Sequence, residues 1–224
     1  QGAPLAPIYH KMIIEKNNLE LPSCFLNIGG VANISYWDGK ILIGFDTGPG
    51  NHLMDEYIQE RTKAKFDLDG NFASKGKINK SVLKKFMSNK YFEKPYPKSL
   101  DKYFFKNEYN YINQLDLKLT DAMSTLAEVT LNSIVNSIKT LPKTPKSIIV
   151  SGGGYRNKNL IKQLKKHIKI PFHDLESFDL DPDFIESELI AFLTARRFYN
   201  LPITFPETTG VSKPSIGGFI FKNL

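Results

Sequence analysis

The sequence has 224 residues, 41% of them hydrophobic, which is enough to bury a core and argues against a disordered chain. Its 30 lysine and arginine residues exceed its 23 acidic residues, but the lysines are scattered, so a basic surface explains the charge better than nucleic-acid binding. The sequence shows no apolar run of membrane-spanning length and no signal peptide, and its single cysteine, Cys24, favours the reducing cytoplasm.

The first half predicts three strands and a helix. Short strands are expected at 24–28, 32–37 and 41–45, and Asp38-Gly39 between the last two is a strong signal for a two-residue hairpin. A helix over 51–62 follows, with Asn51 as its candidate N-cap. Residues 63–115 are polar and rich in lysine and aromatic side chains, and we expect short helices and loops there.

The second half alternates helices and strands. The pattern predicts a long helix over 115–138, a strand at 147–150, a helix over 157–167, a short strand near 170–172 and a final amphipathic helix over 183–199. Together the elements predict an α/β fold with a mixed sheet flanked by helices. Their order resembles the ribonuclease-H-like half-domain of sugar kinases, actin and the large heat-shock ATPases. We expect one domain over residues 1–224, with a helical excursion at about 63–115.

Two glycine loops follow strand-like runs and are the main candidates for a binding site. The first holds Gly29 and Gly30 between Asn27 and Asn33, and it is either a plain hairpin turn or a phosphate site built from backbone N–H groups. The second loop is described by four candidate residues, which are Gly152, Gly153, Gly154 and Asn157. It either lets a helix pack closely on a strand or seats an adenosine, and Asn157 either caps the following helix or contacts the nucleotide.

Carboxylates and a turn make up a third group of candidates. Asp46, before Thr47 and Gly48, either binds Mg²⁺ through water, or hydrogen-bonds to a sugar hydroxyl, or caps its own turn. Gly48 and Asn51 belong to the same sugar-associated or Mg²⁺-associated group. Glu186 either binds a sugar hydroxyl or complements the dipole of the last helix.

Other motifs have simpler explanations. Asp67-Leu68-Asp69-Gly70 begins like a calcium loop but lacks the later ligands, and the four histidines have no zinc-ligand spacing. The aromatic and lysine-rich stretch at 91–111 is expected to pack a peripheral helix or a subunit contact rather than to stack on single-stranded nucleic acid.

Several blocks in order along the chain resemble the 1,6-anhydro-N-acetylmuramic acid kinase family of the sugar kinase and actin superfamily. The blocks are Gln1 to Pro7, Phe25 to Ser35, Gly44 to Asn51 with Met54-Asp55, Pro97 to Ser99, Gly152 to Gly154 with Asn157, Asp183 to Glu186, Ala191-Phe192 and Thr208 to Gly210. They are similar to the carboxyl-terminal portion of the family. The residue after Glu186 is Ser187, where the family usually has alanine, and this departs from its pattern.

The resemblance implies an activity and a division of the site. It implies transfer of the γ-phosphate of ATP, with Mg²⁺, to an anhydro sugar whose ring water opens, giving N-acetylmuramic acid 6-phosphate in peptidoglycan recycling. It implies phosphate binding by Asn27, Gly29, Gly30 and Asn33 in the first loop and an adenosine seat at the second loop. A homodimer is expected by analogy.

The resemblance also implies that part of the machinery lies elsewhere. The family's base is an aspartate just before the segment that begins at Gln1, and its first phosphate turn, Gly-Thr-Ser-x-Asp-Gly, lies near its amino terminus. We therefore expect no catalytic residue among these 224 residues and no activity without an amino-terminal half. The alternative is a non-catalytic split-gene remnant or nucleotide-binding module of the same fold.

Overall fold

The computed structural model describes residues 4–221, so Gln1 to Ala3 of the opening segment lie outside the described residues. The strands are β1 (Ser23–Ile28), β2 (Val31–Trp37), β3 (Leu42–Pro49), β4 (Ser147–Ser151) and β5 (Phe172–His173). The helices are α1 (Pro7–Lys16), α2 (His52–Arg61), α3 (Lys80–Met87), α4 (Lys106–Asn113), α5 (Leu119–Lys139), α6 (Lys158–His167), α7 (Ile185–Phe198) and α8 (Pro206–Thr209).

The five strands form one mixed sheet in the order β3-β2-β1-β4-β5. Strands β1 to β3 form an antiparallel meander. Strand β4 pairs in parallel with β1, and β5 pairs in parallel with β4. Helices α5 and α6 pack on one face of the sheet, and α1 and α7 pack on the other. This arrangement confirms the predicted α/β, ribonuclease-H-like fold class.

Strand β1 lies at the centre of the core because both of its faces are covered. Leu26 and Ile28 face the cluster that contains Ile134 of α5. Phe25 points to the opposite face, where it packs with Ile13 of α1 and stacks on the ring of His10 at 3.8 Å. Burial on two faces explains why β1 is an almost continuous apolar run rather than an alternating one.

Most predicted elements are present, with shifted ends. Strand β3 continues to Pro49 rather than ending at residue 45, since its ladder with β2 resumes after a β-bulge at Ala32 and Asn33. Helix α1 was not predicted, and α5 begins at Leu119, four residues later than expected. Asn51 occupies the predicted N-cap position of α2, but its side chain makes no capping hydrogen bond there.

Residues 63–115 carry α3, α4 and short 3₁₀ turns, and they build a second apolar cluster with α2 and α5. Phe86, Tyr91 and Phe105 are fully buried in this cluster, whereas Tyr103 and Phe104 are exposed. Most of this aromatic content therefore fills a core. In residues 4–221 no helix combines the length and the hydropathy needed to cross a membrane.

Candidate nucleotide-binding site

The two glycine loops lie side by side at one edge of the sheet. Strands β1 and β4 are parallel neighbours, and Asn27 of β1 is paired with Ser151 of β4. The loops that follow these strands therefore leave the sheet at the same place. Crevices outside the carboxyl ends of adjacent strands are the usual ligand sites of open α/β sheets.

The first loop is held by the segment that leads into α2. Gly30 O accepts the N–H of Gly50 at 2.9 Å and Nδ1 of His52 at 2.7 Å, and Gly29 O accepts the N–H of Asn51 at 2.8 Å. The side-chain amide of Asn51 donates to Ile28 O at 3.1 Å. With the carbonyls occupied, the N–H groups of Gly29 and Gly30 donate to no described residue outside the strand ladder. They are thus available to an anion.

Two glycines of the second loop are required by the fold. Gly152 has a φ of +82°, and a Cβ there would lie 2.5 Å from Oδ1 of Asn27. A Cβ on Gly154 would lie 2.3 Å from Cγ2 of Ile28. The close approach of strand and loop that sequence reasoning offered as the simple alternative therefore explains these two positions.

Three other glycines are not explained by packing. A Cβ would meet its nearest neighbour at 3.5 Å on Gly29 and at 3.6 Å on Gly30 and Gly153, which are ordinary contact distances. The neighbour of Gly153 is Nδ2 of Asn51, so this glycine faces the segment that holds the first loop. The packing of the fold would therefore allow a side chain at each of these three positions. A ligand that lies against the bare backbone would use the space that such a side chain would otherwise fill.

A row of polar residues crosses the sheet beneath the loops. Asp46, Asn33, Asn27 and Ser151 are paired in sequence across β3, β2, β1 and β4, so their side chains share one face. Ser151 Oγ donates to Oδ1 of Asn27 at 3.2 Å. The row joins the predicted phosphate residues to Asp46, and it adds Ser151, which sequence reasoning missed although it directly precedes the three glycines.

A pocket of about 360 Å³ opens between the second loop and α2. It is lined by Gly153, Asn51 and Asp55 and by the exposed side chains of Phe66 and Leu68. A flat apolar group such as a nucleobase suits a pocket lined by the bare backbone of a glycine and by exposed apolar side chains.

Asn157 and Asp67 have structural roles at the rim of this pocket. Oδ1 of Asn157 accepts the N–H of Leu160 at 3.0 Å, so Asn157 caps α6. The carboxylate of Asp67 accepts the N–H groups of Phe72 and Ala73 at 2.8 and 2.9 Å. Asp67 therefore ties its own turn, as expected of a motif that lacks the later calcium ligands.

Asp46 is bound to a neighbouring segment. Its Oδ2 accepts the N–H of Leu100 at 2.7 Å, and its carbonyl accepts the hydroxyl of Tyr91 at 2.6 Å. Burial raises the pKa of Asp46 to about 6, against the lowering effect of the Leu100 hydrogen bond. Gly48, two residues on, faces α5, where a Cβ would lie 2.7 Å from Cβ of Ser133. Helix packing accounts for that glycine.

The raised pKa of Asp46 predicts a pH-dependent contribution to stability. A folded-state pKa above the ordinary 3.8 means that the folded protein binds the proton more tightly, so the destabilisation present above about pH 6 is lost as the pH falls towards 4. Asp46→Asn, which keeps an acceptor for Leu100, is expected to raise the free energy of unfolding at pH 7 by about 1 kcal/mol after solvent screening. Denaturant unfolding of the variant and of the unaltered protein from pH 4 to 7 measures this. The prediction would be refuted if the free energy of unfolding changed with pH in the same way in both proteins.

Glu186 lies apart from the loops. It is exposed in the first turn of α7, and within residues 4–221 its side chain makes no hydrogen bond to either glycine loop. The nearest link is an exposed ion pair between Arg156 of the second loop and Asp183, at 3.0 Å. The described residues thus bring together the phosphate and adenosine candidates with Asn51, but not Glu186.

The comparisons with known proteins place the sequence in a family. The sequence model described as anhydro-N-acetylmuramic acid kinase matches residues 1–223. The chain belongs to this family. A family member from Phenylobacterium zucineum is 39% identical over 222 residues, and one from Hydrogenovibrio crunogenus is 35% identical over 226 residues. The alignments cover 98% and 99% of the chain but 59% and 60% of those relatives, so the chain spans about three-fifths of their length.

The solved structures found by comparison resemble this chain only distantly. The activator of 2-hydroxyisocaproyl-CoA dehydratase from Clostridium difficile with bound ADPNP has a TM-score of 0.49 and 13% identity, over 81% of this chain and 64% of its own. Component A of (R)-2-hydroxyglutaryl-CoA dehydratase from Acidaminococcus fermentans has a TM-score of 0.45 and 10% identity, over 72% and 58%.

Proposed function

We propose that this chain is the nucleotide-binding part of an ATP-dependent kinase that converts 1,6-anhydro-N-acetylmuramic acid to N-acetylmuramic acid 6-phosphate. In the overall reaction water opens the anhydro ring, the sugar oxygen freed at position 6 takes the γ-phosphate, and ADP leaves. The observation that supports this proposal is the convergence of two glycine loops on one crevice in a chain of the kinase family.

The residues of the crevice have distinct parts in this proposal. The N–H groups of Gly29 and Gly30 bind phosphate oxygens, with Asn27 and Asn33 beside them in the polar row. Gly153 lies against the adenosine, and the base enters the pocket towards Phe66. Positioning and charge stabilisation are most of what phosphoryl transfer requires of a protein. Mg²⁺, when bound with ATP, neutralises charge on the phosphates.

We propose further that catalysis needs polypeptide corresponding to the two-fifths of the relatives that the chain does not span. The exposed surface of α7 and the tail supports this, because the apolar side chains of α7 are at most partly buried and Phe198, Tyr199, Phe219 and Phe221 are 69–91% exposed. Apolar surface of this extent usually marks an interaction site. The complete kinase is proposed to be cytoplasmic and to form a homodimer. Sedimentation analysis tests the homodimer.

The activity is tested by comparing three samples. These are the 224-residue protein alone, the protein joined to the unmatched portion of the Phenylobacterium zucineum relative, and that portion alone. With ATP, Mg²⁺ and the anhydro sugar, we expect the joined protein to yield the 6-phosphate, detected by mass spectrometry, and the separate parts to yield almost none. Absence of product from the joined protein, with both parts folded, would contradict the proposed activity.

The share of 59% also favours one alternative, a nucleotide-binding module without catalysis. The same assay separates the two functions, because such a module binds nucleotide whether or not it is joined and never forms the sugar phosphate. N-acetylmuramic acid, which has no anhydro ring, serves as the control substrate for ring opening.

A further inference from the structure

Asp55 stands between the two glycine loops. It lies in the first turn of α2, one helical turn beyond Asn51. Asp55 lines the pocket that Gly153 also lines, and it lines a second pocket, of about 680 Å³, together with Gly30 and Lys102. A ligand that extends from one loop to the other therefore passes this carboxylate.

The acceptor capacity of Asp55 is not used within residues 4–221. Burial raises its pKa to about 6, and the charge of Lys102 opposes part of this shift without a hydrogen bond between the two side chains. In contrast, the carboxylate of Asp46 accepts a backbone N–H at 2.7 Å, and that of Asp67 accepts two. Asp55 is therefore a half-buried carboxylate that lines two cavities and accepts no hydrogen bond that the fold requires.

A carboxylate at this position limits what can bind beside it. Phosphate oxygens at Gly30 and the carboxylate of Asp55 repel each other unless a cation lies between them. Nucleotide-bound Mg²⁺ keeps several waters and is held by phosphate oxygens with one or two carboxylates. The described part of the chain has no group of three or more His, Cys, Asp or Glu side chains arranged to hold a metal. A cation held mostly by phosphates and water fits this donor set.

We propose that Asp55, rather than Asp46, binds the hydrated Mg²⁺ of a magnesium–nucleotide complex, an inference that rests on the proposed function. Asp46 keeps its hydrogen bond to Leu100 and positions the neighbouring segment of the sheet. Asp55 meets the cation through its waters, on the side of Gly30. The carboxylate thereby makes the site repel free ATP and prefer the magnesium complex.

The test measures how much Mg²⁺ improves nucleotide binding. Calorimetry with a non-hydrolysable ATP analogue gives two Kd values for each protein, one in EDTA and one in Mg²⁺. The Kd in EDTA divided by the Kd in Mg²⁺ is the ratio that measures the benefit of Mg²⁺. Asp55→Asn is expected to reduce this ratio about tenfold, the usual effect of losing a group that binds through a metal's ligands. Binding in EDTA is expected to stay equal or become tighter, because a repulsive charge is removed. Asp55→Ser is a second variant, and Asp46→Asn is the matched control, expected to keep the ratio.

Each other outcome has a distinct meaning. A wild-type ratio in both folded Asp55 variants would overturn the inference, and a reduced ratio in Asp46→Asn alone would assign the cation to Asp46. Equal weakening in Mg²⁺ and in EDTA would also overturn it, since this pattern indicates a ribose hydroxyl as the partner of Asp55. No binding of the analogue by the unaltered, folded protein would instead contradict the proposed function itself.

Discussion

Replacing Gly50 with alanine is expected to lower the free energy of unfolding by about 3 kcal/mol. A Cβ there would lie 2.2 Å from the carbonyl oxygen of Gly29 and 3.1 Å from that of Gly30. Gly50 cannot move away easily, because its N–H donates to Gly30 O at 2.9 Å and its own carbonyl accepts Oγ1 of Thr130 at 2.9 Å. Backbone is therefore forced against backbone, and the first glycine loop must shift.

Denaturant unfolding of Gly50→Ala and Gly153→Ala tests this account with the same added methyl group. At Gly153 the nearest atom to a Cβ is 3.6 Å away, so we expect a change below about 0.5 kcal/mol or a slight stabilisation. Nucleotide affinity should also fall in Gly50→Ala, since the N–H groups of the loop are displaced. Equal stability of the two variants would show that the loop does not depend on this close contact.

Replacing Gly153 with valine is expected to weaken nucleotide binding by about 2 kcal/mol, roughly 30-fold, while the protein stays folded. The side chain would occupy part of the pocket of about 360 Å³ that Gly153 lines, where the adenosine is proposed to lie. Nothing in the fold opposes one methyl group at this position, so the loss would come from the ligand's space rather than from the protein's core.

Calorimetry with the ATP analogue on Gly153→Ala and Gly153→Val measures a graded series. The alanine variant is expected to bind with an intermediate affinity, and thermal unfolding checks that both variants are folded. An unchanged affinity in the valine variant would place the nucleotide elsewhere on the molecule.

Local patterns were sufficient for the elements that form from nearby residues. A turn at Asp38-Gly39 was readable from the sequence, and Gly39 has a φ of +92° while Oδ1 of Asp38 accepts the N–H groups of Lys40 and Ile41 at 2.9 Å. The predicted two-residue hairpin was wrong, because Trp37 pairs with Leu42 and the loop therefore spans four residues, 38–41. The apolar run of β1 and its glycines were likewise readable as a strand followed by a tight turn. The end of β3 was not, because a bulge in the partner strand lets its ladder continue to Pro49.

The part of the site that sequence reasoning missed depends on distant contacts. Phe66 and Leu68 belong to a polar stretch with no clear pattern, and they reach the second loop because Gly70 packs on Asn157 and Lys158 pairs with Asp69 at 3.0 Å. Only their exposure as large apolar side chains marks them, and exposure is a property of the folded chain. For the same reason, the position of Asp55 between two pockets was not visible in the sequence.

The most direct test of the central claim is a crystal structure of the protein with the magnesium complex of a non-hydrolysable ATP analogue. We predict phosphate oxygens within hydrogen-bond distance of the N–H groups of Gly29 and Gly30, and the adenosine against Gly153. A bound nucleotide that contacts neither glycine loop would contradict the account.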